Sequence, residues 1–451
     1  MNHKTQVTIV GAGFTGLAAA YELVKRGVAV TVLEAEGEIG GLAGAFDVGG
    51  EKLDRFYHHW FTSDLDVMQL IDELGLHDRV EINSTNTGVY YANNFFRLST
   101  PWDLLNFTPL CFVDRIRLGL LALRARRVKD WMALEDKTAH EWLKELGGEN
   151  VYRVVWQPLL KGKFGAYAEQ VSAVWFWNKL KLRGGSRGKG GEERLAYLKG
   201  GFVALADALA IKIHELGGKI ITNAPVLGIV PREPVWQTSY SGGVVTSDHV
   251  IVTTALPLIA DMVRGWADPS YVKTLERIQY IGNVCLVLEL DRALSKTYWL
   301  NVNDPNFPFV GVIEHTNFER PATYGGSHIV YLSKYLPQAD ALYSMSADQL
   351  LDYSLPYLQK MFPKMERGWI RRHHVWRARW SQPVVEKHYS RLIPAEEGPK
   401  TGLHICSMAQ IYPEDRGTNY AVREGRRIGA KLGKQLNTGI RLDLQSSRSV
   451  N

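Results

Sequence analysis

Residues 7–16, VTIVGAGFTG, decide how this chain folds. A run of β-branched residues, typical of a buried parallel strand, leads directly into three closely spaced glycines. Residues 17–26 then carry apolar side chains at helical spacing, and residues 28–33 return as a second strand that stops at Glu34. The pattern predicts one strand–helix–strand unit of the kind that binds a dinucleotide.

Each glycine of this loop has a physical task. Gly11 permits a tight turn, Gly13 lets the backbone approach a pyrophosphate, and Gly16 allows the helix to pack closely on the strand. The residues that open the helix, Phe14 and Thr15, bring unpaired N–H groups and the positive end of the helix dipole to the phosphates. We therefore predict that the loop binds the phosphates of a cofactor.

The acid that ends the second strand narrows the choice of dinucleotide. Glu34 can accept hydrogen bonds from ribose hydroxyls and disfavours a 2′-phosphate, so we expect NAD or FAD rather than NADP. A glycine pair follows within residues 38–42, EIGGL. In these blocks the chain resembles the FAD-dependent superfamily of flavin amine oxidases, protoporphyrinogen oxidases and phytoene desaturases. The resemblance implies FAD, held in this region by Glu34, Ala35, Gly40, Gly41 and Leu42.

Two later blocks extend the resemblance. Residues 197–202, YLKGGF, precede a predicted helix over 203–216 and a predicted strand over 219–222. This arrangement is similar to the second FAD segment of the family, in which the Val226 position contacts the adenosine end. Residues 245–254 are predicted to form two strand pieces that return to the FAD domain.

The last block lies near the end of the chain. Residues 403–408 are predicted to form a buried strand, and a helix is predicted from about Asn419 to Leu436. The resemblance implies that the helix N-terminus faces the edge of the flavin ring that becomes negative on reduction, which favours the reduced state. The implied ring contacts are Met408, Gly417, Thr418, Asn419 and Tyr420.

The family resemblance also predicts the domain organisation. It implies an α/β fold, with a discontinuous Rossmann-like FAD/NAD(P)-binding domain and an interleaved α+β substrate domain of the flavin amine oxidase type. The expected FAD-binding segments are 1–85, 195–265 and 395–437, the substrate segments are 86–194 and 266–394, and residues 438–451 are expected to form a flexible tail.

Some positions depart from the family pattern. Leu42 stands where many relatives have arginine, and Ser407-Met408 stands where many have Gly-Asp. A positive partner for the pyrophosphate must then come from elsewhere, and Lys52 or Arg55 is the candidate.

Two segments are candidates for the chemistry. Tyr57, His58 and His59 follow the flavin loop, and paired histidines can move protons near neutral pH, although core aromatics with one satisfied histidine are an equal alternative. The resemblance makes Lys163 a candidate for a lysine–water pair beside the flavin, as in some flavin oxidases. The simpler interpretation is that Lys163 lies in an ordinary solvated turn. Tyr420 completes the catalytic candidates.

A third candidate segment, residues 371–380, is rich in arginine. Strand alternation places Arg372, His374 and Trp376 on one face and the other arginines on the opposite face. Guanidinium groups suit carboxylate or phosphate, while the simpler interpretation is an exposed sheet face.

The composition of the chain bears on its expected compartment and partners. The chain has 451 residues, 45% of them apolar, and a net charge of +6, which does not by itself indicate a nucleic-acid partner. Three cysteines without a Cys-x-x-Cys pair indicate a reducing compartment, so we expect a cytoplasmic protein. The same cysteine spacing predicts no metal site. We expect the N-terminal segment to be part of the mature fold. A basic, apolar helix at 114–129 also suits contact with an anionic membrane, although a surface helix that packs on the core is the commoner case.

These observations predict an enzyme. The expected activity is an FAD-dependent oxidoreductase that removes hydride from a C–N or C–C bond of a small substrate, anionic or lipophilic. Since no second Gly-x-Gly-x-x-Gly unit occurs, oxygen or another acceptor should reoxidise the flavin. Cys406 lies inside a predicted buried strand, so FAD should be bound non-covalently. The alternatives are a redox-neutral isomerase resembling UDP-galactopyranose mutase and a flavoprotein without catalytic activity.

Overall fold

The computed structural model of the chain describes residues 5–97, 100–185 and 193–448. The strands are, in chain order, β1 (Gln6–Val10), β2 (Ala29–Leu33), β3 (Ala45–Val48), β4 (Glu51–Asp54), β5 (Trp60–Phe61), β6 (Val80–Thr85), β7 (Thr87–Tyr91), β8 (Asn94–Arg97), β9 (Glu193–Leu198), β10 (Lys219–Ile221), β11 (Val226–Arg232), β12 (Val235–Tyr240), β13 (Gly243–Ser247), β14 (His249–Val252), β15 (Tyr280–Leu290), β16 (Trp299–Val302), β17 (Gly311–Glu314), β18 (His328–Leu336), β19 (Ile370–Pro383) and β20 (Leu403–Ile405).

The helices are, in the same order, α1 (Phe14–Val24), α2 (Leu65–Glu73), α3 (Pro101–Leu105), α4 (Phe112–Arg127), α5 (Ala139–Gly147), α6 (Glu149–Val151), α7 (Gln157–Phe164), α8 (Ala173–Gly185), α9 (Val203–Glu215), α10 (Leu256–Val263), α11 (Pro269–Glu276), α12 (Ala341–Ser344), α13 (Ala347–Met361) and α14 (Thr418–Arg448). None of these described helices combines the length and the apolar character needed to cross a bilayer.

Within the described ranges, a five-stranded parallel sheet joins distant parts of the chain. Its strand order is β10-β2-β1-β14-β20, and the predicted strand–helix–strand unit forms its centre. Val10 ends β1 and pairs with Leu33 on one side and Val252 on the other. The carboxyl ends of the strands therefore meet at one edge, which is where ligands bind in open parallel sheets.

A second, larger sheet comes from the chain segments between these strands. Its order is β19-β15-β18-β17-β16-β7-β8, and neighbouring strands are antiparallel except β16 and β7. Strand β15 is buried along nearly its whole length, because sheet neighbours and helix α13 cover it. The sheet draws on residues 87–97 and 280–383, which fall in the predicted substrate segments. The domain boundaries themselves stay a prediction.

Helix α14 packs along α1 through a row of glycines spaced four residues apart. A Cβ atom on Gly425 would lie 2.3 Å from the carbonyl oxygen of Thr15, and one on Gly429 would lie 2.6 Å from the carbonyl oxygen of Ala19. Only hydrogen fits at these positions, so the two helix backbones approach closely. The helix that begins beside the strand edge is thereby held in place by α1.

We expect Gly425→Ala to destabilise the protein by about 1–3 kcal/mol, because the added methyl group overpacks the α1–α14 contact. The gain in helix propensity, about 1 kcal/mol, opposes this loss only in part. Urea unfolding measures the change. Gly119→Ala in α4 is the matched control, since its nearest obstacle is a flexible methyl group of Leu104 at 3.3 Å. Equal unfolding midpoints for the Gly425 and Gly119 variants would contradict the expected packing.

The last helix is longer than predicted. We expected it to end near Leu436, with a flexible tail from 438, but α14 continues to Arg448. The predicted helix end near Leu436 is therefore too early, the flexibility of residues 438–448 stays a prediction, and 449–451 lie outside the described residues. The extension contains no proline, and its single glycine costs a helix only about 1 kcal/mol, so nothing in it ends the helix.

Candidate functional site

A cavity of about 1000 Å³ opens at the carboxyl edge of the parallel sheet and extends to the second sheet. Every residue predicted to bind the cofactor lines it, with the exceptions of Gly16 and of Lys52, one of the two cations considered for the pyrophosphate, and so does every catalytic candidate. The lining residues from these predictions are Gly11, Gly13, Phe14, Thr15, Glu34, Ala35, Gly40, Gly41, Leu42, Tyr57, His58, His59, Lys163, Val226, Met408, Gly417, Thr418, Asn419 and Tyr420.

Two glycines of the first loop differ in what surrounds them: Gly16 packs against the protein, whereas Gly13 faces open space in the cavity. A Cβ atom on Gly16 would lie 1.9 Å from the carbonyl oxygen of Gly11, so this glycine serves the contact between helix and strand. A Cβ atom on Gly13 would meet no protein atom within 4 Å, although Gly13 lines the cavity. The space that Gly13 leaves open is therefore available to a ligand rather than to the protein.

The N-terminus of α1 is open to an anion. Among the described residues, no side chain caps it, and its first turn carries no acidic residue. The first N–H groups of a helix need an acceptor from outside the helix. Here these groups and the dipole face the cavity beside Gly13, which fits a phosphate group.

Glu34 also has a structural task that the sequence did not reveal. Its Oε2 accepts a hydrogen bond from the backbone N–H of Ala12 at 2.7 Å, and its Oε1 accepts one from Glu36 N–H at 3.0 Å. The buried carboxylate thus ties the glycine loop to the end of β2. Each oxygen keeps a second lone pair, so the carboxylate can still accept a ribose hydroxyl.

The predicted glycine pair packs directly on the first loop. Gly40 N–H donates to the carbonyl oxygen of Ala12 at 2.9 Å, and a Cβ atom on Gly41 would lie 3.3 Å from the Cα atom of Gly13. Both glycines have positive φ, 102° and 59°, which other residues rarely adopt. The two glycine loops therefore form one continuous wall of the cavity.

The last strand and helix differ in detail from the expectation. Strand β20 ends at Ile405, and Met408 begins a short 3-10 turn that the side chain of Ser407 caps. Asn419 is buried, its Oδ1 accepts a hydrogen bond from Val67 N–H at 3.0 Å, and its Nδ2 donates to Asp66. The side-chain amide of Asn419 thus anchors α14 to α2.

The geometry distinguishes the two cations considered for the pyrophosphate. Lys52 is not among the lining residues and pairs with Asp47 at 3.2 Å. Arg55 lines the cavity, pairs with Glu38 at 2.7 Å and lies over the ring of Trp376. The buried Nε of Arg55 has no hydrogen-bond partner among the described residues, which leaves a donor for a ligand.

The two adjacent histidines have different surroundings. His58 packs on Phe202, and burial lowers the pKa of His58 to about 3, so it stays neutral near pH 7. The imidazole of His59 is 3.0 Å from the hydroxyl group of Tyr298. The proposal that the pair moves protons near neutral pH is therefore not supported for His58, because a buried imidazole disfavours the charged form.

Lys163 lies at the end of helix α7, so the solvated turn that we preferred is wrong. Its ammonium nitrogen is 4.8 Å from the ring centre of Trp175, 5.3 Å from that of Tyr335 and 3.7 Å from Oδ2 of Asp415. Burial lowers the pKa of Lys163 to about 7, against the opposing effect of Asp415. A lysine with this pKa can hold or release a proton inside the cavity.

Asp415 organises the charges around Lys163. It is buried, and Lys179 approaches it to 2.5 Å. The cations of Lys179, Lys163 and Arg416 hold the pKa of Asp415 far below its usual range, against the effect of burial. Asp415 therefore stays ionised, and Lys179 is the cation that pairs with it most closely.

The arginine-rich strand β19 is only partly available to a ligand. Arg377 and Arg379 border the cavity together with Trp376 and Trp380, because β19 is an edge strand of the second sheet. Arg377 already donates to the carbonyl oxygens of Tyr343 and Met345. Arg371, Arg372, His373 and His374 do not line the cavity, and Arg371 and Arg372 are exposed, so this part of β19 fits the exposed sheet face rather than a ligand site.

Sequence reasoning missed most of the far wall of the cavity. These residues are scattered over helices, strands and loops with no common spacing, so no local pattern marks them. The signals that were present are the concentration of tryptophan and the Asp-Arg pair that precedes Gly417. The missed lining residues include Trp156, Trp175, Phe176, Lys179, Tyr298, Trp299, Tyr335, Asp415 and Arg416.

The sequence of this chain is similar to those of known oxidoreductases. A model of the family "flavin containing amine oxidoreductase" matches residues 14–428. Protoporphyrinogen oxidase 2 of Arabidopsis thaliana is 26% identical over 174 residues, 37% of this chain and 34% of the relative. A 15-cis-phytoene desaturase of an Oncidium hybrid cultivar is 23% identical over 385 residues, 79% of this chain and 65% of the relative. The chain thus matches less than two thirds of the length of either relative.

A solved structure shows the same fold. Cyclohexylamine oxidase from Brevibacterium oxydans superposes with a TM-score of 0.69 at 16% identity, over 96% of this chain and 100% of that chain. The predicted fold class is confirmed: a Rossmann-like α/β unit joined to an α+β substrate unit, as in flavin amine oxidases.

Proposed function

Because the chain belongs to the family of flavin-containing amine oxidoreductases, we propose that it binds FAD non-covalently and oxidises a small or lipophilic substrate. The oxidation removes hydride from a carbon next to nitrogen or within a carbon skeleton. Oxygen or another small acceptor then reoxidises the flavin. The observation that carries this proposal is the single cavity that both glycine loops and the start of α14 line together.

The residues present fit FAD. The open space at Gly13 and the uncapped start of α1 suit the pyrophosphate, and the unpartnered Nε of Arg55 adds a donor. Cys406 is buried outside the cavity lining, and burial raises the pKa of its thiol to about 12, which supports a non-covalent cofactor. All three cysteines are free, which supports the cytoplasm as the location.

The chamber beyond the glycine loops suits a substrate with an apolar body. Aromatic rings dominate this end of the cavity, and cations stand at a few defined positions, as in pockets that bury small molecules. Arg416 can orient an anionic group of the substrate. The aromatic lining residues are Trp156, Trp175, Phe176, Tyr298, Trp299, Tyr335, Trp376 and Trp380.

The protein contributes position and proton transfer. FAD, when bound, accepts the two electrons as hydride. The aromatic wall holds the substrate and excludes water, while Lys163 in its neutral form takes the proton that the substrate loses. Tyr57 donates to or accepts from Ser333 at 2.8 Å, and this hydrogen bond fixes the orientation of its ring in the wall.

The test is flavin reduction in the absence of oxygen. Purified holoprotein should show the flavin spectrum. Amines, polyamines, porphyrinogens and polyenes are then added in turn without oxygen, and the class of compound that is a substrate should bleach the flavin absorbance. Colourless, folded protein that does not take up added FAD would overturn the proposal. An isomerase would instead require reduced flavin and consume no acceptor. Of the two β19 arginines that line the cavity, Arg377 already donates to two backbone carbonyl oxygens.

A further inference from the structure

Exposed apolar side chains are concentrated in one stretch of the chain, in and around helix α4. Among the described residues, seven of the fifteen large hydrophobic side chains that are strongly exposed fall between positions 102 and 132. They are 42% to 75% exposed, and we call them the apolar patch: Trp102, Phe112, Val113, Ile116, Leu120, Leu123 and Met132. Single exposed hydrophobic residues are normal, but a cluster of this kind marks an interaction surface.

Helix α4 is apolar on two opposite faces. At about 100° per residue, the five patch residues of α4 fall within an arc of about 100°. Leu118, Leu121 and Ala125 fall on the opposite side and are buried against the helical layer, where Trp177 donates to the carbonyl oxygen of Ala125 at 2.9 Å. Since the buried face already anchors the helix, the exposed apolar face is not needed for folding.

Arginines flank the exposed face. Arg124 lies on one side of it, Arg126 on the other and Arg127 at its end, and Lys129 follows the helix. All four are exposed, and none forms an ion pair with another described residue. Residues 102–132 carry six basic and three acidic residues, a balance of +3, which is half of the +6 of the whole chain.

We propose that the apolar patch and its flanking arginines dock this protein on an anionic lipid bilayer. The apolar side chains enter the boundary between headgroups and acyl chains, while the guanidinium groups bind lipid phosphates at the level of the headgroups. Charge complementarity selects this partner, because unpaired cations border an apolar face on both sides and no described carboxylate neutralises them. The proposal goes beyond the proposed oxidation and does not depend on it.

Co-sedimentation with lipid vesicles tests the proposal without any measurement of activity. Wild-type protein should bind vesicles of phosphatidylglycerol and phosphatidylcholine at least about tenfold more tightly than vesicles of phosphatidylcholine alone, and added salt should weaken the binding. The variant I116S/L120S/L123S should lose at least about tenfold in binding. The variant R124Q/R126Q/R127Q should lose the preference for the anionic vesicles. The matched control, I211S/L216S/V244S, removes three exposed apolar residues elsewhere and should bind like wild type.

Several results would overturn the proposal. One is wild-type protein that binds anionic vesicles no better than neutral ones, and another is a triple-serine variant that binds as wild type does. A wild-type protein that self-associates through the patch, with self-association lost in the triple-serine variant and no vesicle binding, would assign the surface to a second copy of the chain. Should the triple-serine variant unfold, the arginine variant decides alone, because its side chains are exposed and unpaired.

Discussion

Gly13→Ala is expected to weaken FAD binding by roughly 10- to 100-fold, since overpacking costs about 1–3 kcal/mol. The added methyl group would occupy space that no protein atom fills but that the pyrophosphate needs. The φ and ψ angles of Gly13, −74° and 177°, are angles that alanine adopts without strain. The thermal stability of the apoprotein should therefore stay unchanged. Titration of apoprotein with FAD, followed by flavin fluorescence, measures the affinity.

The control for this variant is Gly265→Ala. A Cβ atom on Gly265 also meets nothing within 4 Å, but Gly265 lies outside the cavity lining. This variant should bind FAD as wild type does. Equal FAD affinity in the Gly13 and Gly265 variants would show that the cofactor does not pass close to the first glycine loop.

Lys163→Met is expected to lower the rate constant of flavin reduction by roughly 10²- to 10⁴-fold, the usual contribution of a general base. Burial lowers the pKa of Lys163 to about 7, so the wild-type lysine loses its proton as the pH rises through 7. The neutral amine is the base, and the wild-type rate should rise over the same range. The variant should lack this rise. Anaerobic stopped-flow measurements with the substrate found in the bleaching screen give the pH profile.

Neighbouring lysines supply the controls for Lys163. Lys161 lies on the same helix but does not line the cavity, so Lys161→Met should leave the pH profile of flavin reduction unchanged. Lys179→Met removes a cation that lowers the pKa of Lys163, and it leaves Asp415 free to pair with Lys163. The pKa of Lys163 should therefore rise, and the increase in rate should move to higher pH. A Lys163→Met profile that still rises near pH 7 would exclude this lysine as the base.

The same pKa gives a test that needs no substrate. Because the pKa of Lys163 is lower in the folded state than the usual value of about 10.4, the unfolded state binds more protons between about pH 7 and 10. The Lys163 contribution to the free energy of unfolding therefore increases as the pH rises through this window. Lys163→Met should show a smaller increase than wild type in denaturant titrations at successive pH values.

The sequence predicted the glycine-loop side of the cavity lining because its signals are local. Gly11, Gly13 and Gly16 lie within six residues, and the strand before them and the helix after them follow from side-chain periodicity. Parallel pairing then places Glu34 beside the loop. The opposite wall of the cavity was hardly predictable, since Trp156, Tyr298 and residues as distant as Arg416 meet only through the fold.

The sequence by itself determined the strand–helix–strand unit and the glycine loops, because backbone stereochemistry and hydrophobic period act over a few neighbouring residues. Only the tertiary structure decided that Lys163 has a pKa near 7, that Asn419 anchors α2, and that α4 keeps a second apolar face exposed. Each of these depends on burial and on charges from distant parts of the chain, and the linear order of residues does not contain those distances.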